Sequence, residues 1–71
     1  MVEKNQDRFC TRVRALRQAQ NLSIEELAQR SGVPQGYLES LEQNIIPPRM
    51  TVYHAARLAR TLGCLLHELF E

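Results

Sequence analysis

Cysteine and histidine are the residues of this chain that could act as nucleophile, base or metal ligand, and there are two of each. Cys10 and Cys64 lie far apart in sequence, and His54 and His67 fall on different predicted helices. No C-x-x-C pair and no regular His spacing joins them, so no metal site is expected. Thiol catalysis needs a base within hydrogen-bond reach and a cleft around both groups. Neither histidine has an acid or thiol at a fixed spacing, and no glycine-rich phosphate loop is present. In a reducing compartment the two cysteines are expected as unbridged, mostly buried thiols that pack as small hydrophobes. The inventory therefore points away from an enzyme, a metal or a cofactor and towards a binding protein.

Binding chemistry here rests on charge placement. The 71 residues carry nine Lys and Arg against eight Asp and Glu, a net charge of +1 that predicts no polyanion binding by itself. The distribution is uneven. Lys4, Arg8, Arg12, Arg14 and Arg17 crowd the opening segment, where Glu3 and Asp7 oppose them. The middle is acidic, with Glu25, Glu26, Glu39 and Glu42 against Arg30. A basic opening element on a nearly neutral body could grip a nucleic-acid strand or could be a solvated helix face.

The length allows one domain, residues 1–71, with residues 1–4 expected to fray. With 44% hydrophobic and 24% charged residues the chain is globular rather than disordered. No apolar run approaches the roughly 18 residues that span a bilayer, and no leader pattern opens the chain. A cytoplasmic protein without a membrane partner is expected.

The elements that must position any site are all helical. Phe9, Val13, Leu16 and Ala19 recur at helical spacing and predict a helix over about residues 5–20, stopped at Asn21. Ser23 with Glu26 three residues on is a capping box for a second helix with Leu27 and Ala28 inward. Gly32 ends that helix, and Pro34 starts a third over about 34–43 with Leu38 and Leu41 inward. The turn between them is short and holds a glycine, which is a helix-turn-helix signal. The double proline at 47–48 forces a loop. Thr51 caps a fourth helix of about 52–62 with Val52, Ala55, Ala56, Ala59 and Leu62 inward, and Gly63 ends it. Residues 65–71 predict a short fifth helix. Nothing alternates with period two, so the fold class is all-α.

The run Leu22-Ser23-Ile24-Glu25-Glu26-Leu27-Ala28-Gln29-Arg30-Ser31-Gly32-Val33, followed by Gln35, Tyr37-Leu38 and Leu41-Glu42, carries a known pattern. With Arg17 before it and Leu58-Ala59, Leu62-Gly63 and Leu69-Phe70 after it, the chain resembles the helix-turn-helix domain of the phage repressor and Cro type, the xenobiotic response element family. The resemblance covers roughly residues 9–70. It implies a five-helix repressor-like domain that lays its third helix in the major groove of double-stranded DNA.

Carried over by position, the resemblance puts Gln35, Gly36, Glu39 and Ser40 on the base-reading surface. A Gln amide pairs bidentately with adenine, and a Glu accepts from the cytosine amino group. Gly36 reads nothing but permits close approach. Phosphate contacts are expected from helix-start N–H groups and from Arg14, Gln43, Asn44 and Arg49, with Arg8 or Arg12 assisting. The family's pairing of a first-helix Arg with a third-helix Glu falls here on Arg17 and Glu42, a structural ion pair. Ile24, Pro34 and the longer loop holding Ile45 and Ile46 depart from the family's usual residues.

Leu65, Leu66, Leu69 and Phe70 make the last helix apolar around much of its circumference. They are expected to form a homodimer interface, helped by Ile45 and Ile46. A domain outside this chain is the other cover that would suit Leu65 and Phe70. Two further roles fit the same residues: an antitoxin or restriction-control autoregulator, and a helix-turn-helix module used only for protein contacts.

Overall fold

A computed structural model describes residues 2–70, with side chains from Arg8 onward. Four α-helices follow one another, α1 (Val2–Ala19), α2 (Ile24–Ser31), α3 (Gln35–Glu42) and α4 (Val52–Leu62), and a 3₁₀ turn (Leu66–Phe70) closes the chain. There is no strand among the described residues. The first helix begins at Val2, earlier than its apolar spacing alone indicates. Of the segment expected to fray, Val2 to Lys4 are helical and Met1 lies outside the described residues.

The helix ends follow from their capping residues. Asn21 takes φ 56° after α1, and the Leu22 N–H reaches back to the Arg17 carbonyl at 3.0 Å. Asn44 takes φ 63° after α3, with the Ile45 N–H on the Ser40 carbonyl at 2.9 Å. Gly63 does the same for α4 at φ 81°. All three are Schellman-type endings in which a left-handed residue lets the chain satisfy the last carbonyls, and Asn serves twice where Gly is more usual. At the start of α2, Ser23 Oγ accepts from the Glu26 N–H at 3.0 Å, and Glu26 Oε1 accepts from the Ser23 N–H at 2.9 Å. The Ser23 N–H foremost, then the Ser23 hydroxyl beside the carboxylate and the Arg30 charge, hold the Glu26 carboxyl below its ordinary range.

The core gathers Phe9, Cys10 and Val13 of α1, Leu27 of α2, Leu38 and Leu41 of α3, and Ala55, Leu58, Ala59 and Leu62 of α4. Leu22, Val33 and Leu69 enter it from the connections and the closing turn. Neither cysteine is in a disulfide; Cys10 is buried and Cys64 is half-buried. Burial, with the Glu68 charge beside it, pushes the Cys64 thiol up.

Three expectations are corrected. Val52 is 68% exposed, while Leu58 is buried. Positions 55, 58, 59 and 62 form the buried stripe, and Val52, though in phase with it, overshoots the edge of the core. Ala19 is likewise exposed beyond the last buried turn of α1. The fifth helix is a 3₁₀ turn. Its three-residue period brings Leu66 and Leu69 to one side, against the core, and a segment this short gains little from α-helical bonding. Leu69 is fully buried, and Leu66 is half-buried and packs on the core. Phe70 stacks on Phe9 with ring centroids 5.1 Å apart.

The turn from α2 to α3 is tied by Ser31. Its buried hydroxyl donates to the Leu27 carbonyl at 2.7 Å and accepts from the Val33 N–H at 3.2 Å. Gly32 at φ 75° then reverses the chain. Ser31→Ala leaves that N–H unmatched in a buried turn. Chemical denaturation should show a loss of about 1–3 kcal/mol; a loss within error of zero contradicts this role for the hydroxyl.

Candidate nucleic-acid interface

Every buried side-chain nitrogen and oxygen among the described residues has a hydrogen-bond partner. No group of three or more His, Cys, Asp or Glu residues that could hold a metal occurs among them. Recognition chemistry therefore has to be sought on the surface, and α3 carries the most organised polar face.

That helix starts at Pro34, whose backbone carbonyl accepts from the Tyr37 N–H at 3.0 Å, with no side-chain cap. Leu38 and Leu41 turn inward, and Tyr37 meets the His54 ring edge-on at 5.2 Å. The opposite side bears exposed Gln35, Gly36 and Glu39 and half-buried Ser40. The four proposed reading residues thus lie along one side of one helix. Gln35 Nε2 donates to Glu39 Oε2 at 3.1 Å, one helical turn on. This bond uses one of two amide hydrogens, so the second hydrogen and Oε1 stay available as the donor–acceptor pair that adenine requires. Ser40 Oγ donates back to the Gly36 carbonyl at 3.2 Å. A Cβ placed on Gly36 would meet nothing within 4 Å, so the fold itself does not require glycine there.

The C-terminal end of α3 joins α1. Arg17 Nη2 and Nε donate to Glu42 Oε1 and Oε2 at 3.1 and 3.3 Å, and Arg17 Nη1 donates to the Leu22 carbonyl at 2.8 Å. The pair is mostly covered, with 14% and 24% of the two side chains exposed. Arg14 Nη1 donates to the Glu42 carbonyl at 3.0 Å. Arg14 therefore stands beside the end of α3, near exposed Gln43 and Asn44, with part of its guanidinium already committed to the fold. Arg49 is exposed in the loop before α4. Arg12 is turned elsewhere: its Nε donates to the Glu68 carbonyl at 3.2 Å, and it borders a crevice with Leu16, Cys64 and Glu68. The opening arginines are thus not gathered into one gripping surface. Arg14 and Arg17 fasten α1 to α3, and Arg12 fastens α1 to the closing turn.

Two residues of this framework escaped the sequence reading. Ser31 locks the turn, and its small polar side chain before Gly32 was the available signal. His54 accepts the Thr51 N–H on Nδ1 at 3.0 Å and so caps the start of α4. A histidine three residues after a capping threonine stands where Glu or Gln does in the usual capping box.

A second surface is apolar. Phe9, Ile46, Met50, Thr51, Val52, Ala55 and Phe70 line an open groove of about 230 Å³. Ile45, Val52, Leu65 and Phe70 are 53%, 68%, 61% and 41% exposed, a large apolar display for so small a domain. Of the four residues assigned to a dimer contact, Leu65 and Phe70 remain at the surface.

Arg17→Ala removes the three-way tie and strands the Glu42 carboxylate in partly covered surroundings. It should cost about 1.5–3 kcal/mol in denaturation, less than a fully buried pair because water still reaches both groups. A change below about 0.5 kcal/mol, as for an exposed pair, contradicts that role.

A helix-turn-helix family model matches residues 13–69. Searches of curated proteins and of solved structures return no significant match. The matched span runs from the middle of α1 through the closing turn, and it contains the Arg17–Glu42 tie, the Ser31–Gly32 turn and the whole polar face of α3. The chain belongs to the Cro and phage-repressor type of helix-turn-helix family.

Proposed function

We propose that this protein is a sequence-specific, double-stranded DNA-binding transcription regulator of the cytoplasm, acting as a repressor and not as an enzyme. In this reading α2 and α3 are the helix-turn-helix, and α3 enters the major groove. The observation that carries the proposal is the Gln35–Glu39 hydrogen bond on the exposed side of α3. It holds an amide at the start of the helix in an orientation that leaves one donor and one acceptor for a base edge. Gly36 beside it keeps the surface low, and Ser40 adds a hydroxyl further along. Glu39 acts chiefly by orienting Gln35. Arg14, Gln43, Asn44 and Arg49 are the phosphate contacts, at the end of α3 and in the following loop.

One such domain offers few phosphate contacts, so stable binding calls for two copies. The apolar groove between α1, α4 and the closing turn, with Phe70 and Val52 at its rim and Ile45 and Leu65 as further exposed apolar surface, is the proposed homodimer contact. A two-fold dimer of this kind sets two reading helices roughly 34 Å apart on a near-palindromic site. Sedimentation should show a concentration-dependent dimer that Val52→Asp shifts to monomer. A monomer at all concentrations contradicts the dimer.

Two substitutions test the reading face without disturbing the core. Gln35→Ala should reduce discrimination between the preferred and random duplexes by about 1–3 kcal/mol. Gly36→Ala should raise fold stability by about 0.4–1 kcal/mol, because alanine can adopt the helical backbone of this first turn, the site is open and the unfolded chain loses freedom. It should nonetheless weaken duplex binding, because the added methyl stands between α3 and the groove floor. Unchanged duplex affinity in both variants contradicts the placement of α3 in the groove.

A further inference from the structure

Away from the polar face of α3, the end of α2 and the outer side of α4 form an open cleft of about 320 Å³. Arg30, Arg57 and Arg60 line it, with Ser31, Tyr53 and Thr61, and no carboxylate does. The ion pair between Arg17 and Glu42 lies elsewhere. Glu26, one turn back on α2, senses the charge of Arg30, but its carboxylate already accepts from the Ser23 N–H. Three arginines therefore line one concavity, and no carboxylate lines it with them.

Arg57 is also held in place. Its Nη2 donates to the Tyr53 hydroxyl at 2.8 Å, and its Cζ sits 4.6 Å from the Tyr53 ring centroid. Its Nη1 occupies the space over Gly32, where a Cβ would come within 2.7 Å. A guanidinium has five N–H donors, and this seat satisfies one of them with a hydroxyl. The rest remain for a ligand, already oriented, so little rotamer freedom is lost on binding.

We propose that this cleft is a phosphate-binding site, with Arg57 as the fixed seat and Arg30 and Arg60 as the closing pair. A carboxylate brings one charge and two oxygens in a plane. A phosphate group brings up to two charges and three or more oxygens in a tetrahedral array, which matches forked donors arriving from two helices. The phosphate could come from the backbone of a bound duplex or from a free phosphorylated small molecule, and the chemistry of the cleft is the same for both.

The test uses the Nε–Hε resonances of the arginines and the backbone amide of Gly32, titrated with inorganic phosphate at constant ionic strength against chloride. The expected result is a saturable shift of Arg57, Arg60 and Gly32. In the Arg57→Gln, Arg60→Gln double variant the affinity for inorganic phosphate should fall on the order of ten- to a hundredfold. Both side chains are exposed, so the variant should keep its fold, checked by its thermal melt. Shifts equal to those produced by chloride, or an unchanged affinity in the folded variant, overturn the site. A second arm measures duplex binding against salt. A salt slope shallower by about one in the double variant assigns the phosphate to the DNA backbone, and an unchanged slope assigns it to a free molecule. The phosphate titration stands independently of whether the protein binds DNA at all.

Discussion

Arg17 spans three parts of the chain. Its guanidinium meets both oxygens of Glu42 at the end of α3 and the Leu22 carbonyl at the corner between α1 and α2. A helix of eight residues cannot hold its own direction in water. The direction of α3 is set at its far end by this tie and by Arg14 on the Glu42 carbonyl, and at its near end by the Ser31–Gly32 turn. Leu38 and Leu41 press the buried side into the core. With both ends and one side fixed, the exposed side can present Gln35 at a definite angle, which a base-reading helix requires.

Most of this framework was legible in the sequence because it depends on local rules. The Ser23–Glu26 capping box, the left-handed Asn21 and Asn44, and the glycine in the turn each follow from a residue type and its immediate neighbours. The Arg17–Glu42 pair is a long-range contact and was legible only through resemblance, since nothing in the spacing alone links those positions. The failures have physical causes. The periodicity that placed Val52 inward does not say where the core stops. An apolar run at the chain end does not say which residues a small domain keeps for its own core, here Leu69 and part of Leu66. The sequence also could not show that Arg12 and Arg14 each commit part of a guanidinium to a backbone carbonyl.

That last point shapes the electrostatics. A basic first segment suggested a gripping helix, but its arginines act largely as fasteners, so binding strength has to come from elsewhere. In the proposed complex the free part of Arg14, Arg49, the Gln43–Asn44 corner and a second copy of the chain supply it. The arginines of the α2–α4 cleft line one concavity that no carboxylate lines. The proposed reading, joining and anion-binding roles lie on different faces of one small core: α3, the groove beside Phe70, and the cleft around Arg57.

In the proposed complex the Gln35 side of α3 reads base sequence. Selection of bound duplexes from a random pool addresses it most directly, because it requires no prior guess of the target. The expected result is an enriched, near-palindromic site whose half-sites lie about one helical turn apart, with the preference lost at one position per half-site when Gln35→Ala is used. A pool that shows no enriched sequence, or enrichment unchanged by that substitution, contradicts it.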